Sequence, residues 1–278
     1  MKRTIVLFVY VLLIFFIGCQ KEKISEPLIN VSPETPLLVD STLHIDTVRA
    51  GNLTVYHIDK FNTTIVKIPR ISDYYFYENP NRTLEQVGKD STYSLVVNTS
   101  YFDQIYIHPF TGNHYRHAGY LRIKDSVYAN LKHDKQLSRL FAYNFTTNTA
   151  DYFNYTQLDK AAGYDLVVQT GPQLIRNSKI DTISINSSIN GKRLAPRTAF
   201  ASVNGKEFYV ITSLGKKPPN GGVLLYDLAL LLQTCGIFRK QFDIINFDGG
   251  PSTRLYIKDC PRYSINSRQI APVILCVK

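Results

Sequence analysis

The chain has 278 residues, of which 44% are hydrophobic, and its formal net charge at pH 7 is +10. The basic excess favours an anionic ligand such as a phosphate, an acidic glycan or a lipid head group. We find no nucleic-acid-binding motif in the sequence, and this excludes nucleic acid as an expected partner.

The first 43 residues have the pattern of a targeting segment followed by a tether. Two basic residues precede the apolar run Ile5–Ile17, which is too short for a membrane span and is typical of a signal peptide. The run ends in Phe16-Ile17-Gly18-Cys19, which resembles a bacterial lipobox; an ordinary signal peptide with an incidental cysteine is the alternative. We therefore predict a lipoprotein signal peptide over residues 1–18, lipid attachment at Cys19, and a lipidated cysteine with a flexible tether over residues 19–43.

These assignments place the protein in a bacterial cell envelope, outside the cytoplasm and anchored to a membrane through its lipid. The roughly 230 residues that follow the tether are enough for one substantial hydrophobic core.

Short runs rich in β-branched and aromatic residues predict the strands of this domain. They are Leu53–Ile58, Thr64–Ile68, Tyr93–Asn98, Gly119–Ile123, Arg139–Phe145, Asp165–Thr170, Glu207–Thr212, Asp243–Phe247, Thr253–Lys258 and Ile270–Val277. Helices are predicted over Thr83–Lys89 and over Gly222–Thr234, where leucines recur at helical spacing and Gly236 follows the end. We find no repeat and no internal linker, and we expect a single α+β domain over residues 44–278, mainly antiparallel or mixed β-sheet with a few helices.

Three cysteines fall within this domain: Cys235, Cys260 and Cys276. Strands Thr253–Lys258 and Gln269–Val277 are predicted to pair as a hairpin, which places Cys260 and Cys276 too far apart for a disulfide. The sequence gives no indication that Cys235 bridges either one, so we expect buried free thiols.

Polar residues follow several predicted strands, and the segment after Asp243–Phe247 is the most informative. Its glycines allow a tight turn or a close approach to a ligand, and its hydroxyls supply donors and acceptors beside a carboxylate. An Asp-Gly turn that closes a hairpin is the alternative. The polar segments are Leu95–Asp103, Asp165–Leu174, Ala195–Ala201 and Asp248–Thr253.

Taken in order from about Tyr93 to the C-terminus, these segments resemble the phosphodiester glycosidase family. That family shows Asn-Gly-Gly-Phe-Phe, a glycine before a strand and a glycine turn, Ser/Thr-Gly-Pro, Arg-Thr-Ala, a helix, and Leu-Asp-Gly-Gly-x-Ser. The matching positions are Asn98 to Phe102, Gly119 onward, Thr170-Gly171-Pro172, Arg197-Thr198-Ala199, the helix Gly222–Thr234, and Phe247 to Ser252. The resemblance implies an enzyme that hydrolyses a sugar-1-phosphodiester and releases the sugar.

The resemblance also implies that Arg197 and Asp248 are catalytic. A phosphomonoester is a good leaving group, so the site needs a cation on the phosphate more than a strong general acid. The planar guanidinium of Arg197 matches phosphate oxygens, and Asp248 either attacks the anomeric carbon or activates water. The remaining residues are expected to bind substrate: Asn98, Asp103, Thr170, Gly171, Gly249, Gly250, Ser252 and Thr253.

The residues leave other interpretations open. Arg197 could instead be a surface residue or part of a structural ion pair, and Asp103 could instead be a turn residue. Thr99 and Ser100 stand where the family has two glycines, and because other residues rarely adopt positive φ, the backbone or the cleft is expected to change there. Pro272 stands where an asparagine is usual and removes a donor from the sheet.

These departures support an alternative function, namely a catalytically weakened relative that binds phosphorylated surface polysaccharide. A purely structural envelope lipoprotein is a third interpretation, and it predicts no convergent polar cleft.

No cofactor or metal site is expected. The histidines between His108 and His117 lie in a predicted loop without cysteines, and their spacing matches no familiar zinc site. A divalent cation held by Asp248 or Asp103 with substrate phosphate is the alternative, and no clear motif supports it. The expected partners are a carbohydrate or glycolipid that carries a phosphodiester, and a membrane contacted through the lipid anchor.

Overall fold

The fold consists mostly of antiparallel β-sheet with a few short helices, as expected from the sequence. The computed structural model describes residues 39–90, 92–108, 112–215, 221–265 and 272–278. The predicted signal peptide, the lipid attachment site Cys19 and most of the predicted tether lie outside these residues.

The described strands and helices are numbered in chain order. The strands are β1 Ile45–Ala50, β2 Leu53–Ile58, β3 Thr63–Ile68, β4 Asp73–Phe76, β5 Leu95–Asn98, β6 Phe102–His108, β7 Gly112–His117, β8 Leu121–Ile123, β9 Ser126–Ala129, β10 Arg139–Asn144, β11 Thr149–Asn154, β12 Leu166–Thr170, β13 Gln173–Arg176, β14 Lys179–Ile180, β15 Arg197–Val203, β16 Glu207–Ser213, β17 Phe242–Phe247, β18 Leu255–Ile257 and β19 Val273–Val277. The helices are α1 Leu84–Lys89, α2 Thr182–Ser187 and α3 Leu225–Thr234.

Within the described residues, an eight-stranded sheet runs in the order β1-β2-β3-β16-β15-β17-β13-β14. A five-stranded sheet has the order β11-β10-β12-β8-β9, a four-stranded sheet has the order β18-β5-β19-β4, and β6 and β7 form a separate hairpin. All of these pairings are antiparallel.

Both faces of the eight-stranded sheet are covered, and β15 at its centre is buried along its whole length. Side chains alternate between faces along a strand. Phe200 packs in one apolar cluster with the five- and four-stranded sheets, and Ala199 and Ala201 pack in a second cluster with α3. The rings of Phe141 and Phe247 lie 5.7 Å apart in the first cluster, and Phe247 is the last residue of β17.

The predicted hairpin between the last two strands is wrong. β18 and β19 both pair with β5, which lies between them. β5 is buried at every residue, and its place between β18 and β19 gives main-chain hydrogen-bond partners to both of its edges. The expectation for the cysteines is confirmed, since Cys235, Cys260 and Cys276 are buried and free.

Two further boundaries differ from the sequence prediction. The loop predicted around the histidines is largely the hairpin of β6 and β7. The helix predicted from Gly222 begins at Leu225, because Gly222 has a φ of +108° and forms a bridge with Gly215. No helix in the described ranges is long and apolar enough to cross a membrane.

The contact between α1 and β18 allows a test of packing. A Cβ added at Gly88 would lie 2.2 Å from the Tyr256 ring. Although alanine favours a helix by about 1 kcal/mol over glycine, we expect Gly88→Ala to lower the free energy of unfolding by about 1 to 3 kcal/mol through overpacking. Urea denaturation measures this change.

Gly163→Ala is the matched control, because no atom lies within 4 Å of the added Cβ. Its free energy of unfolding should change by less than about 0.5 kcal/mol. A Gly88→Ala protein as stable as this control would contradict tight packing between α1 and β18.

Candidate active site

Asp248 lies where β17 leaves the sheet, and its main chain is held by the end of β5. The Asp248 N–H donates to the carbonyl of Thr99 at 3.2 Å. The carbonyl of Asp248 accepts a hydrogen bond from Nδ2 of Asn98 at 3.0 Å. Hydrogen bonds with Asn98 and Thr99 therefore fix the main chain that carries the Asp248 carboxylate.

The Asn98 side chain ties three separate segments together. Besides Asp248, it contacts Arg254, whose N–H donates to Oδ1 of Asn98 at 2.7 Å, and Thr198, whose hydroxyl lies 3.3 Å from the same oxygen. Asn98 and Thr198 are each about 1% exposed, so both hydrogen bonds are shielded from water. Three of the four polar segments recognised in the sequence thus meet at one buried amide.

The main chains that carry Asp248 and Arg197 lie side by side. Thr198 is paired with Phe247 across β15 and β17, so Arg197 and Asp248 are the next residues along the two strands. A Cβ added at Gly249 would lie 3.2 Å from the Cα of Arg197, and the turn continues with Gly250 at a φ of +61°. Only a glycine at position 249 allows this approach.

Asp248 is partly exposed as a residue, but its carboxyl group is buried in a turn that supplies hydrogen bonds and a charge. The hydroxyl of Ser252 and the N–H of Gly249 donate to it, and the Arg254 guanidinium lies within electrostatic range. Burial nevertheless outweighs these contacts and raises the pKa of Asp248 to about 7. A carboxyl with this pKa can accept or donate a proton near neutral pH.

Arg254 is a site residue that the sequence prediction missed. It is 2% exposed, and its Nη1 donates to the carbonyl of Pro251 at 2.5 Å. Burial lowers the pKa of Arg254, and the charge of Asp248 opposes that effect. The sequence signal for this role was an arginine placed directly after Ser252 and Thr253 and just before an apolar strand. An arginine at such a position is expected to be buried, and arginine is rarely buried without a charged partner.

Arg197 is also buried, at 3% exposure, and it joins β15 to the segment before α3. Its Nε donates to the carbonyl of Val223 at 3.1 Å, and its Nη2 donates to the carbonyl of Arg193. Burial lowers its pKa, and the nearby Tyr101 raises it. Arg197 is therefore not a surface residue, and these hydrogen bonds fix the direction of its guanidinium.

Tyr101 and Asn246 connect the Thr170-Gly171 segment to the end of β17, next to Asp248. Neither residue was predicted from the sequence to belong to the site. Asn246 Nδ2 lies 2.6 Å from the Tyr101 hydroxyl, which in turn donates to the carbonyl of Gly171 at 3.0 Å. The Thr170 hydroxyl donates to the carbonyl of Asn246 at 2.9 Å. Asn246 lies two residues before Asp248, and an amide inside an apolar strand at that spacing was the sequence signal.

The residues that depart from the family pattern cause no backbone strain. Thr99 and Ser100 are both buried, and neither is among the described residues with positive φ. The Thr99 hydroxyl donates to the hydroxyl of Tyr74 at 2.9 Å, so its side chain points into the protein. Pro272 precedes β19, and its carbonyl accepts a hydrogen bond from Tyr77 N–H at 2.8 Å. Thr99 and Ser100 therefore have no positive φ of the kind that a glycine pair allows, and Pro272, which has no N–H to donate, stands one residue before β19.

The remaining predicted binding residues differ in their surroundings. Asp103 lies in β6, so its assignment to a turn is wrong; partial burial opposes its ionisation, but Lys132 and Arg116, each 3.2 Å away, lower its pKa. Ser252 ends a 3₁₀ turn that begins at Gly250, and the side chain of Thr253 is buried beneath it. Within the described ranges, no group of three or more His, Cys, Asp or Glu residues fits a metal ion.

The raised pKa of Asp248 predicts a pH-dependent stability difference. An aspartate in an unfolded chain has a pKa near 4, so the folded protein prefers the protonated form and loses stability as pH rises from about 4 through about 7. Asparagine cannot ionise. We expect Asp248→Asn to exceed wild type in free energy of unfolding at pH 8 by about 1 to 3 kcal/mol, allowing for partial exposure, and by less at pH 5.

Urea denaturation at the two pH values measures this difference, and exposed Asp159→Asn serves as the control. The control should change stability equally at both values. An equal effect of Asp248→Asn at pH 5 and pH 8 would contradict the raised pKa.

Comparisons with solved structures agree on the fold. The catalytic domain of zebrafish N-acetylglucosamine-1-phosphodiester alpha-N-acetylglucosaminidase, auto-inhibited by its pro-peptide, has a TM-score of 0.54 at 16% identity, over 88% of this chain and 85% of that chain. A hypothetical protein from Synechocystis has a TM-score of 0.56 at 12% identity, over 85% of this chain and 62% of that chain. At these identities the likeness shows the fold alone.

Sequence comparison identifies the family. No curated protein matches the sequence significantly. Residues 91–277, about two thirds of the chain, match the sequence profile of the phosphodiester glycosidase family. This match covers the region in which the motifs from Tyr93 onward predicted the resemblance. The chain therefore belongs to the phosphodiester glycosidase family.

Proposed function

We propose that the protein is a hydrolase that cleaves a sugar-1-phosphodiester on an envelope or host glycan. The observation that carries this proposal is the side chain of Asp248, a partly exposed residue whose carboxyl group has a pKa of about 7 and is held by Ser252, Gly249 and Arg254. A buried carboxyl group with a raised pKa lowers folding stability, and groups of this kind are found most often in active sites.

In the proposed reaction, Asp248 takes a proton from a water molecule as that water attacks the anomeric carbon, or the carboxylate attacks that carbon itself. The bond between the anomeric carbon and the phosphate oxygen breaks, and its electron pair leaves with the phosphomonoester. Arg197 binds the phosphate and stabilises the charge that develops on it. Arg254 keeps part of the Asp248 population ionised near neutral pH.

The predicted binding residues divide into two groups in this proposal. Gly249, Gly250 and Ser252 are partly exposed and contact the substrate, and Asp103, a partly exposed residue of β6, is expected to do the same. The others are buried and hold the backbone of the turn: Asn98, Thr170, Gly171 and Thr253.

A second candidate function is binding of phosphorylated surface polysaccharide without turnover. The guanidinium of Arg197 supports it, because two of its donors are already used by the carbonyls of Val223 and Arg193. Donors used within the protein are less able to follow the charge that develops in a transition state.

We further propose that the protein is exported and anchored to a membrane in a bacterial cell envelope through a lipid on Cys19. The apolar run before a glycine and Cys19 supports this location. The substrate is then a carbohydrate or glycolipid within reach of that membrane.

Release of free sugar from a panel of sugar-1-phosphodiesters tests the activity of the full-length chain in detergent. We expect Asp248→Asn to lower kcat/KM by about 100-fold or more, because it removes the proton acceptor. The pH profile of wild-type kcat/KM should have a limb near pH 7, the pKa of Asp248.

Asp159→Asn is the matched control and should keep wild-type turnover, since this exposed carboxylate lies outside the site. If wild type binds the panel without turnover and Arg197→Ala abolishes binding, the second candidate function is correct and the hydrolase is wrong. An Asp248→Asn protein as active as wild type would exclude Asp248 as the catalytic carboxylate.

Cys19→Ser tests the anchor. We expect wild-type protein to incorporate labelled palmitate and to sediment with membranes, and the variant to do neither, because the thiol is the attachment point. Cys235→Ser is the control, as this buried thiol is unavailable for modification. Equal membrane association of wild type and Cys19→Ser would contradict lipid attachment at Cys19.

A further inference from the structure

A cleft opens between β11, at the edge of the five-stranded sheet, and strands β13 and β17 of the eight-stranded sheet. Its volume is about 470 Å³, within the range of about 300 to 1,000 Å³ that is usual for ligand sites. Asp243, at the other end of β17 from Asp248, lines it, so about 17 Å of strand separates the two acids. The cleft is therefore distinct from the candidate active site.

The floor of this cleft is a chain of hydrogen-bonded polar side chains. Arg139 Nε donates to Oε1 of Gln173 at 2.9 Å, and Nε2 of Gln173 donates to Oδ1 of Asp243 at 3.2 Å. The Asn177 N–H donates to the same Asp243 oxygen at 3.0 Å. Gln173 is only 3% exposed, so its orientation is fixed and it aligns the arginine and the acid on either side of it.

Opposite charges share the cleft. Arg139 and Arg176 line it together with Asp151 and Asp243, and Arg139 also lies 3.4 Å from the Asp181 carboxylate. Arg176 lies in the field of Asp243, yet its exposed side chain makes no hydrogen bond or ion pair with the described part of the chain. Because the acids balance the arginines, a simple anion such as phosphate gains little net attraction here.

The chemistry of the lining favours a ligand that donates and accepts hydrogen bonds on many sides. Guanidinium groups supply donors and carboxylates supply acceptors. The amide NH₂ groups of Asn154 and Gln157 add donors, since the oxygens of both amides already accept hydrogen bonds in the turn after β11. Tyr152 and Phe153 add aromatic surface to one wall. Sugar hydroxyls both donate and accept, and the ring carbons of a sugar pack on aromatic surfaces.

We propose that this cleft binds a segment of uncharged glycan, at a site separate from the Asp248 centre. Arg176 supplies unpaired donors to sugar hydroxyls, and Asp151 and Asp243 accept from them. This proposal does not depend on hydrolysis at Asp248.

Isothermal titration of the full-length chain in detergent tests the proposal. The probes are tetrasaccharides of glucose, mannose, galactose and N-acetylglucosamine, with inorganic phosphate as the anionic probe. We expect at least one tetrasaccharide to bind. Arg176→Ala and Asp151→Asn should each raise the Kd of that tetrasaccharide by about tenfold or more, because a hydrogen bond to a charged group usually contributes that much to affinity.

Arg82→Ala is the matched arginine control, since Arg82 is a surface residue outside the cleft, and it should leave Kd unchanged. Asp248→Asn should also leave this Kd unchanged, and Arg176→Ala should leave phosphodiester turnover unchanged. The proposal is overturned if no tetrasaccharide binds at up to about 10 mM, if binding survives both cleft variants, or if phosphate competes with the sugar.

Discussion

The buried side-chain amide of Asn98 is the contact on which the candidate site depends. It fixes the carbonyl of Asp248 and the N–H of Arg254 in one segment and contacts the hydroxyl of Thr198 in another, so that three distant segments, its own included, meet there. A hydrogen bond within a dry interior is strong, and a donor left without its partner there is costly. The amide therefore fixes the distance between the acid, its buried cation and the strand that carries Arg197.

This rigidity allows the protein to keep a carboxyl group in an unfavourable environment. Burial opposes the ionisation of Asp248, and Ser252, Gly249 and Arg254 offset only part of that cost. Packing on both faces of the central sheet supplies the stability that tolerates it, with Phe141 and Phe247 in contact directly below the turn. Reactive groups of this kind commonly sit on such rigid supports, where the cost is spread over a large core.

Much of the fold was predictable from the sequence, because runs of β-branched and aromatic residues indicate strands. Each predicted strand corresponds to an observed one, with ends that differ by up to three residues. The central strand β15 was missed as a strand, since alanines and polar residues in Arg197–Val203 give it low β-propensity. Its small side chains suit a position buried on both faces, and that requirement comes from the tertiary fold. The wrong pairing of β18 with β19 has a similar cause, because β5, more than 150 residues earlier, takes the place between them.

The site residues that belong to a turn motif were predictable from the sequence. The residues that join the site through contacts between distant segments were not. Asp248 and Gly249 follow a strand end, and a carboxylate beside glycines is visible in any sequence. Arg254 and Asn246 gain their roles from contacts with Asp248, Tyr101 and Gly171, none of which composition or spacing reports.

An acid lies near each end of β17: Asp243 is its second residue, and Asp248, five residues later, directly follows its last residue. Residues an odd number apart point to opposite faces of a sheet, so Asp243 and Asp248 open toward different sides of the molecule. The central sheet thus separates two chemical environments that share one strand. The hydrogen bonds around Asp243 and those around Asp248 have no residue in common, so a substitution beside one acid can leave the contacts of the other intact.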